Sequence, residues 1–175
     1  MEEPTEDNYS DLFLKDSVKY GLYKKFTRKD IDNADTYCNM HEDRFFGNRD
    51  IYNLCKIFEK NLTQLSTIMQ EEPDRKQHCR YLRFWINDEI RKKLISLGKS
   101  KHNINSIFIA LFSVSSMLVG GSSEIQCIYN YDKDITMNMW KEWKDLYDYI
   151  INEDEIKRKI NSNEQLCEKY SKYHT

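Results

Sequence analysis

Two cysteine–histidine pairs are the first candidates for a metal site. Cys38-x-x-His41 and His78-Cys79 carry thiol and imidazole groups, the usual ligands of a structural zinc ion. Their spacing matches no zinc motif, and a predicted long helix separates the two pairs. Scattered Cys, His and Asp residues could also form a nucleophilic site, but no glycine-rich loop or nucleophile-bearing turn accompanies them. The sequence therefore predicts no catalytic residue, no metal site and no cofactor, and hence no enzyme.

All five cysteines are candidates for disulfide bonds. They are dispersed along the chain and no two form a C-x-x-C motif, which argues against a zinc ribbon or a thioredoxin-like redox site. An odd number leaves one thiol unpaired, and the sequence does not choose among the possible pairings. The candidates are Cys38, Cys55, Cys79, Cys127 and Cys167.

Charged residues of both signs are interleaved along the chain. Lys and Arg number 27 against 29 Asp and Glu, for a formal net charge of -2. This balance predicts no overall attraction to nucleic acid or to an anionic membrane. Asn61-Leu62-Thr63 matches a glycosylation acceptor, but it lies on a predicted helix beside a core residue. We interpret that match as coincidental.

Helices must position all of these residues. The 175 residues include 5 Gly and 2 Pro, too few for a turn-rich sandwich or barrel. Apolar residues recur instead at three- and four-residue steps, so we predict an all-α fold, a bundle of about six to eight helices stapled by disulfides. We expect a single helical domain over residues 1–175, with a possible subdomain break near residues 120–124, where Gly and Ser cluster.

The helix after Pro73 organises the predicted core. Asp74 and Gln77 have the spacing of a capping box, and an apolar stripe from Cys79 to Leu97 follows. Phe84 and Trp85 widen this stripe, as expected of a helix with neighbours on several sides. The core residues predicted from this helix and two others are Leu54, Phe58, Leu62, Leu82, Trp85, Ile86, Trp140 and Tyr147.

Further helices are predicted on both sides of this one. Asn48 is the expected N-cap of a helix that runs from Ile51 to Met69. Residues 104–119 form the most hydrophobic stretch, shorter than the roughly 20 residues of a membrane-spanning helix. We predict a buried helix whose serines bond back to the preceding turn, with an interfacial segment as the alternative.

The two ends of the chain are predicted to be helical as well. One or two short helices lie between Tyr9 and Phe26, with a break at Gly21. A helix from Ile135 to Ile150 should turn its Trp and Tyr side chains inward, and Asn163 can cap a last helix. The acidic start of the chain lacks the basic and then apolar pattern of a signal peptide.

Several stretches stand in an order that suggests a family. The central one is Cys79-x-Tyr-Leu-x-Phe-Trp-Ile-x-Asp-x-Ile90, and the others lie at residues 17–26, 54–62, 146–150 and 167–173. Together they resemble the core helices and the terminal cysteine motif of the Plasmodium interspersed repeat (PIR) proteins, especially their vir branch. One departure is Ser171, which stands where the family's Cys-x-x-Tyr-Cys motif has its second cysteine. That departure would explain the odd number of cysteines.

The resemblance implies the ectodomain of a variant antigen on or near the surface of malaria-infected red cells. It implies adhesion or immune evasion rather than catalysis, with a host protein receptor or antibodies as partners and no nucleic acid. Membrane attachment is expected only through a C-terminal span that this chain lacks. The alternative is a scaffold or trafficking protein exported into the host red cell. The partner-binding residues are unknown, although we expect them on loops such as residues 99–105, 120–124 and 129–133.

Overall fold

All regular secondary structure that the structure describes is helical. The structure is a computed structural model that describes residues 14, 16–27, 36–96, 102–125, 127–130 and 132–162. Two disulfide bonds staple the helices, which confirms the predicted all-α, disulfide-stapled fold. The α-helices are α1 (Val18–Gly21), α2 (Arg49–Thr63), α3 (Leu65–Ile68), α4 (Arg75–Ser96), α5 (His102–Gly121), α6 (Met137–Ile151) and α7 (Glu153–Ser162), and the 3-10 helices are Leu22–Phe26 and Tyr37–Phe45.

The chain divides into two compact units. The smaller unit takes in the described parts of residues 1–22 and 142–175, and the larger unit takes in those of residues 23–141. Helix α5 ends at Gly121, where the sequence clusters Gly and Ser. The subdomain break expected near residues 120–124 stays a prediction.

Helix α4 lies at the centre of the larger unit. It packs against α2 and α3, while α5 packs against α2 and the 3-10 helix Tyr37–Phe45. Aromatic contacts tie further elements to α4, since Trp85 lies 5.8 Å from Phe26 and Phe84 lies 6.0 Å from Trp140, measured between ring centroids. Seven of the residues expected in the core are buried, namely Leu54, Phe58, Leu62, Leu82, Trp85, Ile86 and Trp140.

The start of α4 differs from the predicted capping box. The Asp74 carboxylate accepts a hydrogen bond of 2.9 Å from the Lys76 backbone N–H, and the Gln77 side chain donates to the same carboxylate. The backbone N–H of Asp74 donates to Glu72, not to Gln77. Half of the predicted box is therefore wrong, because a carboxylate two residues earlier takes the place of the Gln77 oxygen.

The long helix predicted from Ile51 to Met69 is interrupted. The Asn48 side chain accepts from the Ile51 backbone N–H, which confirms the predicted N-cap. Helix α2 then ends at Thr63, whose hydroxyl donates to the Lys60 carbonyl. Such a side-chain bond competes with the backbone ladder, and the helix resumes as α3 only after the non-helical Gln64.

Helix α5 is longer than the stretch predicted for it. Its segment Ile104–Gly121 has a mean hydropathy of 1.7 and is long and apolar enough to cross a membrane, by length and composition only. One face is nonetheless packed in the larger unit, where Ile107, Leu111 and Val114 are buried. Ser115 donates a hydrogen bond of 2.9 Å to the Phe112 carbonyl, which confirms the predicted bond back to the preceding turn.

Candidate interaction surface

The buried face of α6 carries a pair of opposite charges. Lys144 Nζ lies 2.7 Å from Asp148 Oδ2, one helical turn further on, and only 8% and 0% of the two side chains are exposed. The Lys144 ammonium also lies 5.0 Å from the centroid of the Tyr20 ring, which provides a cation–π contact. The face of α6 that carries this pair therefore points into the smaller unit, where the opposite charge and the Tyr20 ring offset part of the desolvation cost of the ammonium.

A chain of hydrogen bonds extends this polar interior. The Asn152 side-chain amide donates to the Asp148 carbonyl at 2.7 Å, and the Ser17 hydroxyl donates to Asn152 Oδ1. Ser17 is also the N-cap of α1, since its oxygen accepts from the Tyr20 backbone N–H. The start of α1 is thereby tied to the end of α6.

Sequence reasoning missed this network. Its signal was present as polar residues four apart at Lys144, Asp148 and Asn152, which share one helical face. That spacing also fits an exposed ion pair, which is the common case for Lys and Asp on a helix. Only the neighbouring α1 segment distinguishes a buried pair from an exposed one.

The opposite face of α6 is apolar and exposed. Leu146 and Ile150 are 58% and 59% exposed, and Trp143 and Tyr149 are about two-fifths exposed. We name the residues Trp143, Leu146, Tyr149 and Ile150 the α6 apolar stripe.

The prediction that α6 turns its Trp and Tyr side chains inward is therefore wrong beyond Trp140. Tyr147, expected in the core, is only half-buried. The physical reason is that a helix buries one face, and here Lys144 and Asp148 occupy it.

The disulfides join elements that are distant in sequence. Cys38 pairs with Cys55, which links the 3-10 helix Tyr37–Phe45 to α2, with a Cα–Cα distance of 6.1 Å. Cys79 pairs with Cys127, which links α4 to the segment that follows α5, at 5.5 Å. Both distances lie in the ordinary disulfide range. Cys167, the remaining candidate, and Ser171 lie outside the residues that the structure describes.

Residues of the two cysteine–histidine pairs considered for zinc form disulfide bonds and a hydrogen bond instead. Cys38 and Cys79 are both disulfide-bonded, and His78 Nε2 lies 2.6 Å from the Glu72 carbonyl oxygen. Within the described ranges, no group of three or more His, Cys, Asp or Glu residues could hold a metal ion. The structure therefore does not bring these pairs together as a metal site.

The glycosylation match at Asn61 lies inside the protein. Asn61 is 0% exposed, and its amide donates a hydrogen bond of 2.9 Å to the Phe26 carbonyl. The acceptor nitrogen is thus out of reach of a modifying enzyme in the folded chain. This agrees with our interpretation that the match is coincidental.

Some residues of the three loops expected to bind a partner lie in a helix or in the core instead. In the first of these loops, residues 102–105 belong to α5, and residues 99–101 lie outside the described residues. Tyr129 is buried between Phe58 and Phe108, at centroid distances of 6.0 and 5.8 Å, so it is a core residue. Ser123, Glu124 and Lys133 are exposed, as surface turns require.

The described elements define an all-α, disulfide-stapled protein with an exposed aromatic-rich helix face. The chain belongs to the Plasmodium vivax Vir protein family, which it matches over residues 18–175. This membership confirms the resemblance to the vir branch. It indicates a variant surface antigen of Plasmodium, from a family associated with infected host cells. No curated protein and no solved structure matches the chain.

Proposed function

We propose that this chain is a non-catalytic antigen domain that binds a host cell-surface or immune protein through the α6 apolar stripe. The observation that carries the proposal is the orientation of α6, which buries Lys144 and Asp148 and exposes Leu146 and Ile150. A helix that made contacts only within its own unit would bury Leu146 and Ile150 and expose Lys144 and Asp148, because exposed apolar area is unfavourable in water. A partner that covers the stripe would remove this cost.

The stripe has the chemistry of a protein-binding helix. Trp143, Leu146 and Ile150 stand at steps of three and four residues, the anchor spacing of helices that dock in an apolar groove. Trp and Tyr are enriched in the energetic centres of protein interfaces. We therefore expect the partner to offer an apolar groove about two helical turns long.

A protein suits this surface better than a membrane does. Helices that lie on anionic lipid carry Lys and Arg along the polar face. On α6 the Lys144 charge is buried against Asp148, and the exposed residue beside Trp143 is Glu142. Lipid headgroups would therefore gain little from this helix.

Binding to host proteins tests the proposal directly. The oxidised full chain would be screened against arrayed host cell-surface and immune proteins, and a binder titrated with the double variant Leu146→Asp, Ile150→Asp. We expect at least a tenfold loss of affinity, since both anchors would carry a charge into the groove.

The control is Ile95→Asp, which places one such charge on an exposed apolar residue of α4. We expect this variant to bind as the unchanged chain does. Equal weakening by the control and by the double variant, or full binding by the double variant, would overturn the role of the stripe.

The proposed location is the surface of the infected red cell. Antibody raised against the folded chain should label intact infected cells, and protease treatment of those cells should abolish the label. Labelling that needs permeabilised cells would support the alternative, an exported scaffold or trafficking protein inside the host cell.

A further inference from the structure

One face of α4 carries several side chains with hydrogen-bond donors. Arg80, Arg83 and Asn87 stand at steps of three and four residues and so share this face, on which Arg80 donates to the Gln77 side chain at 3.4 Å. Arg83 forms no hydrogen bond or ion pair with another residue in the described part of the chain. Other basic residues further along the helix are neutralised, Arg91 by Asp88 at 2.9 Å and Lys93 by Asp50 at 3.0 Å.

The side chain of Asn87, one helical turn after Arg83, is buried, and only the oxygen of its amide has a hydrogen-bond partner among the described residues. It is 2% exposed, and its Oδ1 accepts a hydrogen bond from the Tyr129 hydroxyl. Its Nδ2 has no hydrogen-bond partner among the described residues. A buried amide nitrogen without an acceptor is costly, because it has given up its bonds to water.

The surroundings of Arg83 disfavour an isolated cation. Burial lowers the pKa of Arg83, and the positive charge of Arg80 lowers it further, while Tyr129 acts in the opposite direction. Arg83 and Asn87 are one helical turn apart, so their Cβ atoms lie within about 6 Å of each other. Both side chains are near Tyr129, since the Tyr129 hydroxyl donates to the Asn87 oxygen and Tyr129 acts electrostatically on Arg83.

We propose that Arg83 and Asn87 form a binding site for a carboxylate group. The guanidinium of Arg83 donates two parallel hydrogen bonds to the carboxylate, and the Asn87 amide donates a third. Asn87 supplies the buried end of the site and Arg83 the end nearer to solvent. The carboxylate comes either from an acidic side chain of a protein partner or from a small organic acid.

Nuclear magnetic resonance of the full oxidised chain tests this proposal. Sodium acetate, and separately a glutamate residue blocked at both ends, would be titrated at constant ionic strength while the Arg83 side-chain N–H and the Asn87 amide resonances are followed. We expect saturable shifts of both resonances, and none with sodium chloride. Tighter binding of the blocked glutamate identifies a protein side chain as the source, and tighter binding of acetate identifies a small organic acid.

Two variants separate a carboxylate site from a purely structural arrangement. Arg83→Gln should abolish the saturable shift of the Asn87 amide. Asn87→Asp should also abolish acetate binding while raising the thermal unfolding temperature, because the introduced carboxylate itself pairs with Arg83. If the Asn87 amide had only a structural role, Asn87→Asp would lower the thermal unfolding temperature.

Arg75→Gln is the matched control, since it removes the same charge from the exposed first residue of α4. It should leave acetate binding unchanged. The proposal is overturned by equal shifts with chloride, by shifts that survive Arg83→Gln, or by Asn87→Asp lowering the unfolding temperature.

Discussion

Lys144 and Asp148 form an ion pair of 2.7 Å on the buried face of α6, although a Lys and an Asp one turn apart on a helix are more often exposed. Because this face is buried, the opposite face of the helix is exposed, and it includes Leu146 and Ile150. The charges packed in the smaller unit and the candidate binding surface therefore lie on opposite faces of one helix.

Breaking this pair should be strongly destabilising. Asp148→Ala removes the carboxylate that lies 2.7 Å from the buried Lys144 ammonium, and we expect a loss of about 3 to 5 kcal/mol in the free energy of unfolding. The double variant Lys144→Met, Asp148→Leu removes both charges and should lose much less. Urea unfolding measures both. A double variant as unstable as Asp148→Ala would contradict this account, because the cost would then not come from breaking the ion pair while one buried charge is kept.

The two disulfides should differ in their contribution to stability. Cys79–Cys127 closes a separation of 48 residues and Cys38–Cys55 one of 17. From loop-closure entropy, replacing Cys79 and Cys127 by Ala should cost about 1 kcal/mol more than replacing the other pair. Urea unfolding of the two double variants gives the comparison. Peptide mapping without reducing agent checks the pairing itself, and crossed peptides would refute it.

The aromatic centre of the larger unit should be sensitive to truncation. Trp85 is buried and contacts Phe26, so Trp85→Ala should destabilise the protein by about 3 to 5 kcal/mol. Ile95→Ala, on the exposed side of the same helix, should change stability by no more than about 0.5 kcal/mol. Thermal unfolding distinguishes the two. Similar losses for both variants would mean that α4 is not packed as described.

Acidification should weaken the fold partly through His41. Burial lowers the pKa of His41, and the neighbouring Arg44 lowers it further while Asp43 opposes them. The unfolded chain therefore takes up a proton at this residue before the folded chain does, as the pH falls through about 6.5. Stability is lost on the acid side of that value and is unaffected well above it.

The test compares urea midpoints at about pH 7 and pH 5. His41→Gln should show a smaller fall in midpoint than the unchanged chain. Arg44→Gln keeps the imidazole but removes a charge that opposes its protonation, so it should also reduce the fall. An unchanged fall in both variants would exclude His41 as a contributor.

Local pattern was sufficient for most of the described helices and for the N-cap at Asn48. The side chain of Asn48 satisfies a backbone donor three residues away, and the stripe through Leu54 and Phe58 repeats with the period of one helix. Those features depend on neighbours within a turn or two, so the sequence records them directly. The interruption at Gln64 and the displaced cap at Asp74 failed as predictions because several nearby side chains competed for the same backbone groups.

The sequence by itself determined the helical class, most of the core and the family, because helical periodicity and ordered motifs are local properties of the chain. The tertiary structure alone decided which cysteines pair, that Tyr129 lies in the core, and which face of α6 is buried. Each of these depends on contacts between distant segments, such as Ser17 with Asn152. A helix with both a charged and an apolar face is compatible with two orientations, and the free energy of the surrounding contacts selects one.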